Sequence, residues 1–150
     1  MRFAVDCMLG KLAKWLKILG FDTVFFSRIE DEELISISRE EGRVLLTRDT
    51  GIMRRAKDFR SLFIDSEDWH EQIRQVLDKL EIRDEVKPYS RCIDCNTALN
   101  ELSRSGAKNL VTPFVYEHAE TFSLCPDCGR VFWRGTHFKD MEIKLNHLLK

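Results

Sequence analysis

Apolar residues in the first eighty positions switch between two spacings. Arg2-Phe3-Ala4-Val5 holds a short unbroken apolar run closed by Asp6, the pattern of a strand buried on both faces. Met8 to Leu19 then places Leu9, Leu12, Ala13, Leu16 and Leu19 on one helical face, and Gly20 supplies a stop. Thr23-Val24-Phe25-Phe26, β-branched and aromatic, predicts a second strand. A helix fits Asp31 to Glu41, with Leu34, Ile35 and Ile37-Ser38 inward and Gly42 closing it. Val44-Leu45-Leu46-Thr47 predicts a third strand, Ile52 to Lys57 a short helix, and Leu62-Phe63-Ile64 a fourth strand. Asp68-x-x-Glu71 is a capping-box variant opening a helix with Trp69, Ile73, Val76, Leu77 and Leu80 inward.

Strand and helix alternate four times, which predicts an α/β domain of three layers around a central parallel sheet. In such sheets ligands sit beyond the carboxyl ends of the strands. Glu81 to Ser90 is charged, carries Pro88 and breaks the periodicity, so it reads as a linker. The expected division is an α/β domain over 1–86 and a smaller module over 87–150. Residues 91–135 show little helical period and suit a small β module, and Lys139 to Leu149 predicts a terminal helix with Met141, Leu145 and Leu148-Leu149 available to dock.

Composition narrows the class further. The chain has 150 residues, 43% hydrophobic and 33% charged, which excludes collagen-like, low-complexity and largely disordered readings. Unbroken apolar runs are far too short to span a membrane. No basic-then-apolar leader opens the chain, because Asp6, Lys11 and Lys14 interrupt it, so a soluble cytoplasmic protein is expected. Residues 1–86 carry 15 Lys and Arg against 18 Asp and Glu, and residues 87–150 carry 9 against 7. That balance excludes a DNA packager, and any nucleic acid must be gripped by local patches.

Four of the five cysteines form Cys92-Ile-Asp-Cys95 and Cys125-Pro-Asp-Cys128-Gly129. Two residues between thiolates let both reach one metal from a tight turn, and two such pairs close the tetrahedral shell of Zn²⁺ with no position left for water. The expected site is structural, with a long hairpin or loop between the pairs. A redox pair would sit at a helix start inside the α/β unit, and disulfides would call for a secreted chain. Cys7 reads as a small buried residue.

Three acids fall where chemistry could use them: Asp6 ends the first strand, Asp31 opens the helix after the second, and Asp49 follows the third. On parallel strands all three reach one edge of the sheet. Converging carboxylates repel, and a hard cation such as Mg²⁺ or Mn²⁺ relieves that repulsion while activating water for attack at a phosphodiester. The competing reading is capping, since each precedes a helix. Lys11 and Arg48 are candidate phosphate ligands, whereas Lys14 and Lys17 read as a solvated helix face.

The segment from Asp6-Cys-Met-Leu-Gly-Lys to Thr23, with Asp31-Glu-Glu-Leu34, Glu41-Gly-Arg-Val-Leu-Leu-Thr-Arg-Asp49, Arg91-Cys-Ile-Asp-Cys-Asn96 and Cys125-Pro-x-Cys-Gly-Arg-Val-Phe-Trp-Arg-Gly-Thr-His137, resembles the PIN-like RNase domain of the Mut-seven C-terminal type fused to a zinc ribbon. The resemblance spans essentially the whole chain. It implies a PIN-like fold and a metal-dependent ribonuclease whose acidic positions fall on Asp6, Asp31 and Asp49. Many PIN-type nucleases have a further acid two residues after the third, where Gly51 stands here; Asp65, ending the fourth strand, is the candidate substitute.

The resulting expectation is an endoribonuclease using Mg²⁺ or Mn²⁺, with the ribbon positioning single-stranded or structured RNA. The alternative is a non-catalytic RNA- or protein-binding module that keeps the fold and works through its ribbon, and a DNA nuclease stands as a third reading. His137 reads as an RNA contact or a turn residue, and His70, His118 and His147 as surface or packing residues. Trp133, Phe132, Phe138 and Tyr116 could stack on bases, but a module this small needs aromatics for its core.

Overall fold

A computed structural model describes residues 1–150, the side chains of Thr136 and His137 excepted. By compactness the chain divides into Met1–Asn96 and Thr97–Lys150. The first unit runs β1 (Arg2–Val5), α1 (Gly10–Ile18), β2 (Asp22–Phe25), α2 (Asp31–Glu40), β3 (Val44–Thr47), α3 (Thr50–Arg55), β4 (Ser61–Phe63) and α4 (Trp69–Lys79). Its four strands are parallel in the order β2-β1-β3-β4. The predicted alternation is thus observed, with boundaries shifted by one or two residues.

Burial on both faces explains the near-continuous apolar strands. Ala4 and Leu45 meet Leu34, Ile35 and Ile52 of α2 and α3 in one cluster. Their strand neighbours Phe3, Val5, Val44 and Leu46 project to the opposite face, as alternation requires, and are equally buried. There α1 packs on α4, with Trp15 and Trp69 stacked at 4.8 Å between ring centroids. Phe3 and Phe21 meet edge to face at 5.5 Å.

Composition places a boundary between 86 and 87, yet residues 87–96 pack with the first unit. The Lys87 and Tyr89 amides donate to the carbonyls of Leu19 and Ile18, and Arg91 donates to that of Gly20. Gly20 has φ +94, and a Cβ there would lie 2.3 Å from the Lys87 carbonyl oxygen, so only glycine permits this return. The expected linker is therefore ordered by backbone hydrogen bonds that no side-chain pattern announces.

The second unit holds β5 (Asn100–Leu102), α5 (Arg104–Ala107), α6 (Pro113–His118), β6 (Phe122–Leu124), β7 (Val131–Trp133) and α7 (Thr136–Leu149). Its strands form an antiparallel sheet in the order β5-β6-β7. Two short helices occupy the interval expected to be a hairpin or loop. Each is announced by a cap rather than a period: Ser103 accepts from the Gly106 amide, and Thr112 accepts from Val115 with Pro113 behind it. Ala107, Ala119, Phe122 and Val131 form the small core, and Leu145 and Leu148 of α7 are buried. Trp133, a candidate for that core, is 47% exposed although it pairs in register with buried Phe122 and so shares its face; it stands at the end of β7.

Candidate active edge and metal centre

Strand order locates the first site. From β1 the chain moves to one side to form β2, then returns past β1 to place β3 on its other side. The reversal makes the crevice beyond the carboxyl ends of β1 and β3 a topological switch point. Asp6 follows β1 and Asp49 follows β3, so both stand at that crevice. Asp31 opens α2 beyond β2, the next strand over.

Asp6 is 5% exposed, and both of its oxygens are engaged. Oδ1 accepts from the Cys7 amide at 2.7 Å, and Oδ2 accepts from the Thr47 hydroxyl at 2.7 Å. Thr47 Oγ1 in turn accepts from the Asp49 amide at 2.9 Å. The buried threonine thus ties the ends of β1 and β3 together. Asp49 caps α3, its Oδ1 accepting from Gly51 at 2.7 Å and Ile52 at 3.1 Å. At Gly51 a Cβ would lie 3.0 Å from that oxygen, so the residue standing where many PIN-type nucleases have a further acid serves the cap instead.

Capping accounts for Asp49, and in part for Asp6 through the single turn at Cys7–Leu9. It does not account for Asp31, because Glu30 occupies the cap position of α2 with no side-chain bond. Asp31 is half-exposed and pairs with Arg55 at 2.9 Å, and Arg55 also binds Glu32. These carboxylate bonds hold the Arg55 guanidinium above its ordinary pKa. Among the described residues the three aspartates do not form one cluster of ligand atoms; each keeps its own partner.

Cys7 is exposed, not buried as expected, because the turn after β1 carries it to the rim of the sheet. Burial first, then the Asp6 and Asp31 carboxylates, push its thiol pKa up. Lys11 stands on α1 with its Nζ 4.8 Å from the Trp69 ring centroid. Arg48 is committed elsewhere: it donates to the carbonyls of Ile64 at 3.1 Å and Asp65 at 2.7 Å, fixing the exit from β4. Asp65 accepts from Gln75 Nε2 at 2.9 Å. Thr47 joins the edge without having been a candidate on sequence grounds, with the Thr-x-Asp spacing at 47–49 as its local sign; Arg55, a basic residue one turn beyond Asp49, suits a phosphate contact by sequence, but its pairing with Asp31 depends on tertiary packing alone. The His137 side chain lies outside the described residues.

The second site is the cysteine group. The Sγ atoms of Cys92, Cys95, Cys125 and Cys128 all lie within 4.8 Å of one another, and none is in a disulfide. Four sulfurs at the usual zinc distance stand about 3.8 Å apart in a tetrahedron, so small adjustments complete the shell. The two pairs share one backbone design. The Asn96 and Gly129 amides donate to the Cys92 and Cys125 carbonyls, each at 2.9 Å, and both residues are left-handed, at φ 63 and φ 73. Asparagine is the non-glycine residue that tolerates this region best, so Asn96 does for the first pair what Gly129 does for the second. The Cys95 amide also points at Cys92 Sγ, at 3.4 Å. This donor set is that of a closed, structural zinc site in a zinc ribbon.

Asn96 has a further task. Its Oδ1 accepts from the Thr23 amide at 2.9 Å, and its Nδ2 donates to Asp22 at 2.7 Å. Arg43, 6% exposed, donates to the same Asp22 oxygen at 2.7 Å. Burial pushes the Asp22 pKa up, but the Arg43 and Asn96 hydrogen bonds outweigh it and hold the carboxyl below its ordinary value. The first knuckle is thereby locked to the outer strand β2.

No helix among the described residues is long and apolar enough to cross a membrane. No curated protein and no solved structure gives a significant match to this chain. A family model for the Mut7-C RNAse domain, however, matches residues 1–145. With that match covering both the parallel-sheet unit and the four-cysteine cluster, the chain belongs to the Mut7-C RNAse domain family.

Proposed function

We propose that this chain is a metal-dependent endoribonuclease that hydrolyses RNA at the carboxyl edge of its parallel sheet, with Asp6, Asp31 and Asp49 holding Mg²⁺ or Mn²⁺. The observation that carries the reading is the topology: two aspartates leave the strands that flank the switch point, and the third leaves the adjoining strand. The donors fit a hard cation. Each Asp6 oxygen accepts one hydrogen bond and keeps a lone pair, while Asp49 spends Oδ1 on its cap and leaves Oδ2 for a ligand. Asp31 would join them by giving up its ion pair with Arg55.

Held by these carboxylates, a divalent cation would supply charge neutralisation and a water activated toward phosphorus. The protein supplies the rest. Thr47 orients Asp6, the cap orients Asp49, and in the metal-free chain Arg55 holds Asp31. Lys11 steadies the phosphate, while Arg48 stays on the carbonyls of Ile64 and Asp65. Cys92, Cys95, Cys125 and Cys128 would hold a structural zinc that keeps the ribbon folded for RNA positioning.

Cleavage of labelled RNAs and matched DNAs in Mg²⁺ and Mn²⁺ tests this, comparing wild type with Asp49→Asn. Asparagine caps a helix as well as aspartate does, so folding is preserved while the charge is lost. The expected result is RNA cleavage by wild type alone. Equal cleavage by both proteins refutes the carboxylate assignment, and metal-dependent cleavage by neither favours a binding module.

A further inference from the structure

A groove of about 320 Å³ runs beside α1 within the first unit. Its size is at the small end of ligand-binding clefts. Gly10, Ala13, Lys14 and Lys17 of α1 form one side, Phe25 at the end of β2 another, and Ile93-Asp94 of the first cysteine knuckle closes it. One end adjoins the acidic edge, because Phe25 pairs in register with Val5, the residue before Asp6.

Three features set its chemistry. The Phe25 ring tip abuts α1 at Gly10, where a Cβ would come within 3.1 Å of it. That contact leaves a half-buried aromatic beside Ala13 as an apolar surface. Lys17, expected to be solvated, is instead half-buried and donates to the Ile93 carbonyl at 3.2 Å; burial lowers its pKa, and Asp94 opposes that. Lys17 is thus spent on the knuckle and its charge balanced locally. Lys14 is exposed and has no ion-pair or hydrogen-bond partner among the described residues, which leaves one unbalanced cation at the mouth.

We propose that this groove binds one unpaired nucleotide of an RNA strand, its base against Phe25 and its phosphate on Lys14, next to the nucleotide cleaved at the acidic edge. An aromatic surface with a nearby cation is how proteins take unstacked bases without reading their sequence. A groove this small takes a single base rather than a stacked pair, so single strands are preferred over duplex. The choice of RNA rests on the ribonuclease reading.

The test is fluorescence anisotropy with a short labelled single-stranded RNA and its duplex, using the zinc-loaded full chain without Mg²⁺ or Mn²⁺. Wild type is compared with Lys14→Gln, Phe25→Leu and Lys79→Gln, an exposed residue outside the groove lining. The expected result is tighter binding of the single strand, weakened about fivefold or more in Phe25→Leu through lost stacking. In Lys14→Gln the slope of log affinity against log salt falls by about 0.7, the signature of one lost phosphate contact on a single strand. Lys79→Gln binds as wild type. Unchanged affinity and salt slope in Lys14→Gln overturn the groove assignment even if Phe25→Leu folds poorly, and equal affinity for duplex overturns it as well. Neither result touches the ribonuclease reading, which falls only if metal-dependent cleavage survives Asp49→Asn or is absent from wild type.

Discussion

Replacing Asn96 with glycine isolates the lock between the first knuckle and β2. Glycine accepts the left-handed backbone found at φ 63, so the substitution removes hydrogen bonds without adding strain. The Thr23 amide loses its partner on a residue with no exposed surface, and a buried orphan donor costs about 1–3 kcal/mol. Asp22 also loses the Nδ2 bond but keeps Arg43, a smaller loss on a carboxylate that is 25% exposed. Together about 2–4 kcal/mol of the first unit's stability is at stake. Urea unfolding reads it directly in a Trp133→Phe background, where fluorescence comes from Trp15 and Trp69, both in the first unit. Repeating the substitution on Asp22→Asn should shrink its cost, because neighbours in one network are not additive. A loss within about 0.5 kcal/mol, the range of ordinary surface changes, would refute the reasoning.

Two further outcomes follow from the same geometry. Asp22 is held below the ordinary carboxylate value of 3.8, so its contribution is present above that pH and is lost as pH falls through its lower folded value. Stability measured down to about pH 2 should therefore fall less steeply in Asp22→Asn than in wild type, and parallel curves would contradict the network. Zinc-loaded protein should expose a single reactive thiol, Cys7, which reacts slowly because its pKa is raised. A chelator should then release the other four cysteines to the reagent, and five reactive thiols before chelation would contradict a closed zinc site.

Legibility in the sequence follows the range of the interaction. The strands of the first unit are short continuous apolar runs and its helices repeat their burial every three to four residues, so the pattern alone assigns Leu45 to the sheet and Leu34 to a helix face. The paired cysteines do the same through spacing. Asp49 is legible twice over, as a cap and as an edge carboxylate, and the sequence cannot separate two uses of one position. Cys7 misleads, since a strand's apolar run does not say which residue turns outward at its end. Lys17 misleads because its partner is a carbonyl of Ile93, far along the chain, and a helical wheel sees only its own helix. The pairings of Arg55 with Asp31 and of Asn96 with Asp22 carry no local sign: they exist only once α3 meets α2 and the knuckle meets β2.

Central to the proposed chemistry is that the three aspartates together hold a divalent cation. The most direct test is Mn²⁺ binding to the zinc-loaded chain, followed by electron paramagnetic resonance, in wild type and in Asp6→Asn. Asparagine at position 6 can accept from the Cys7 amide through Oδ1 and, with Nδ2 where Oδ2 stood, donate to the Thr47 hydroxyl oxygen, so the side chain keeps its shape while losing a charge. Saturable Mn²⁺ binding by wild type that is weakened at least about tenfold in Asp6→Asn is the predicted result, in line with the cost of losing one ligand charge. Binding of equal strength in both proteins, or none in wild type, would contradict it.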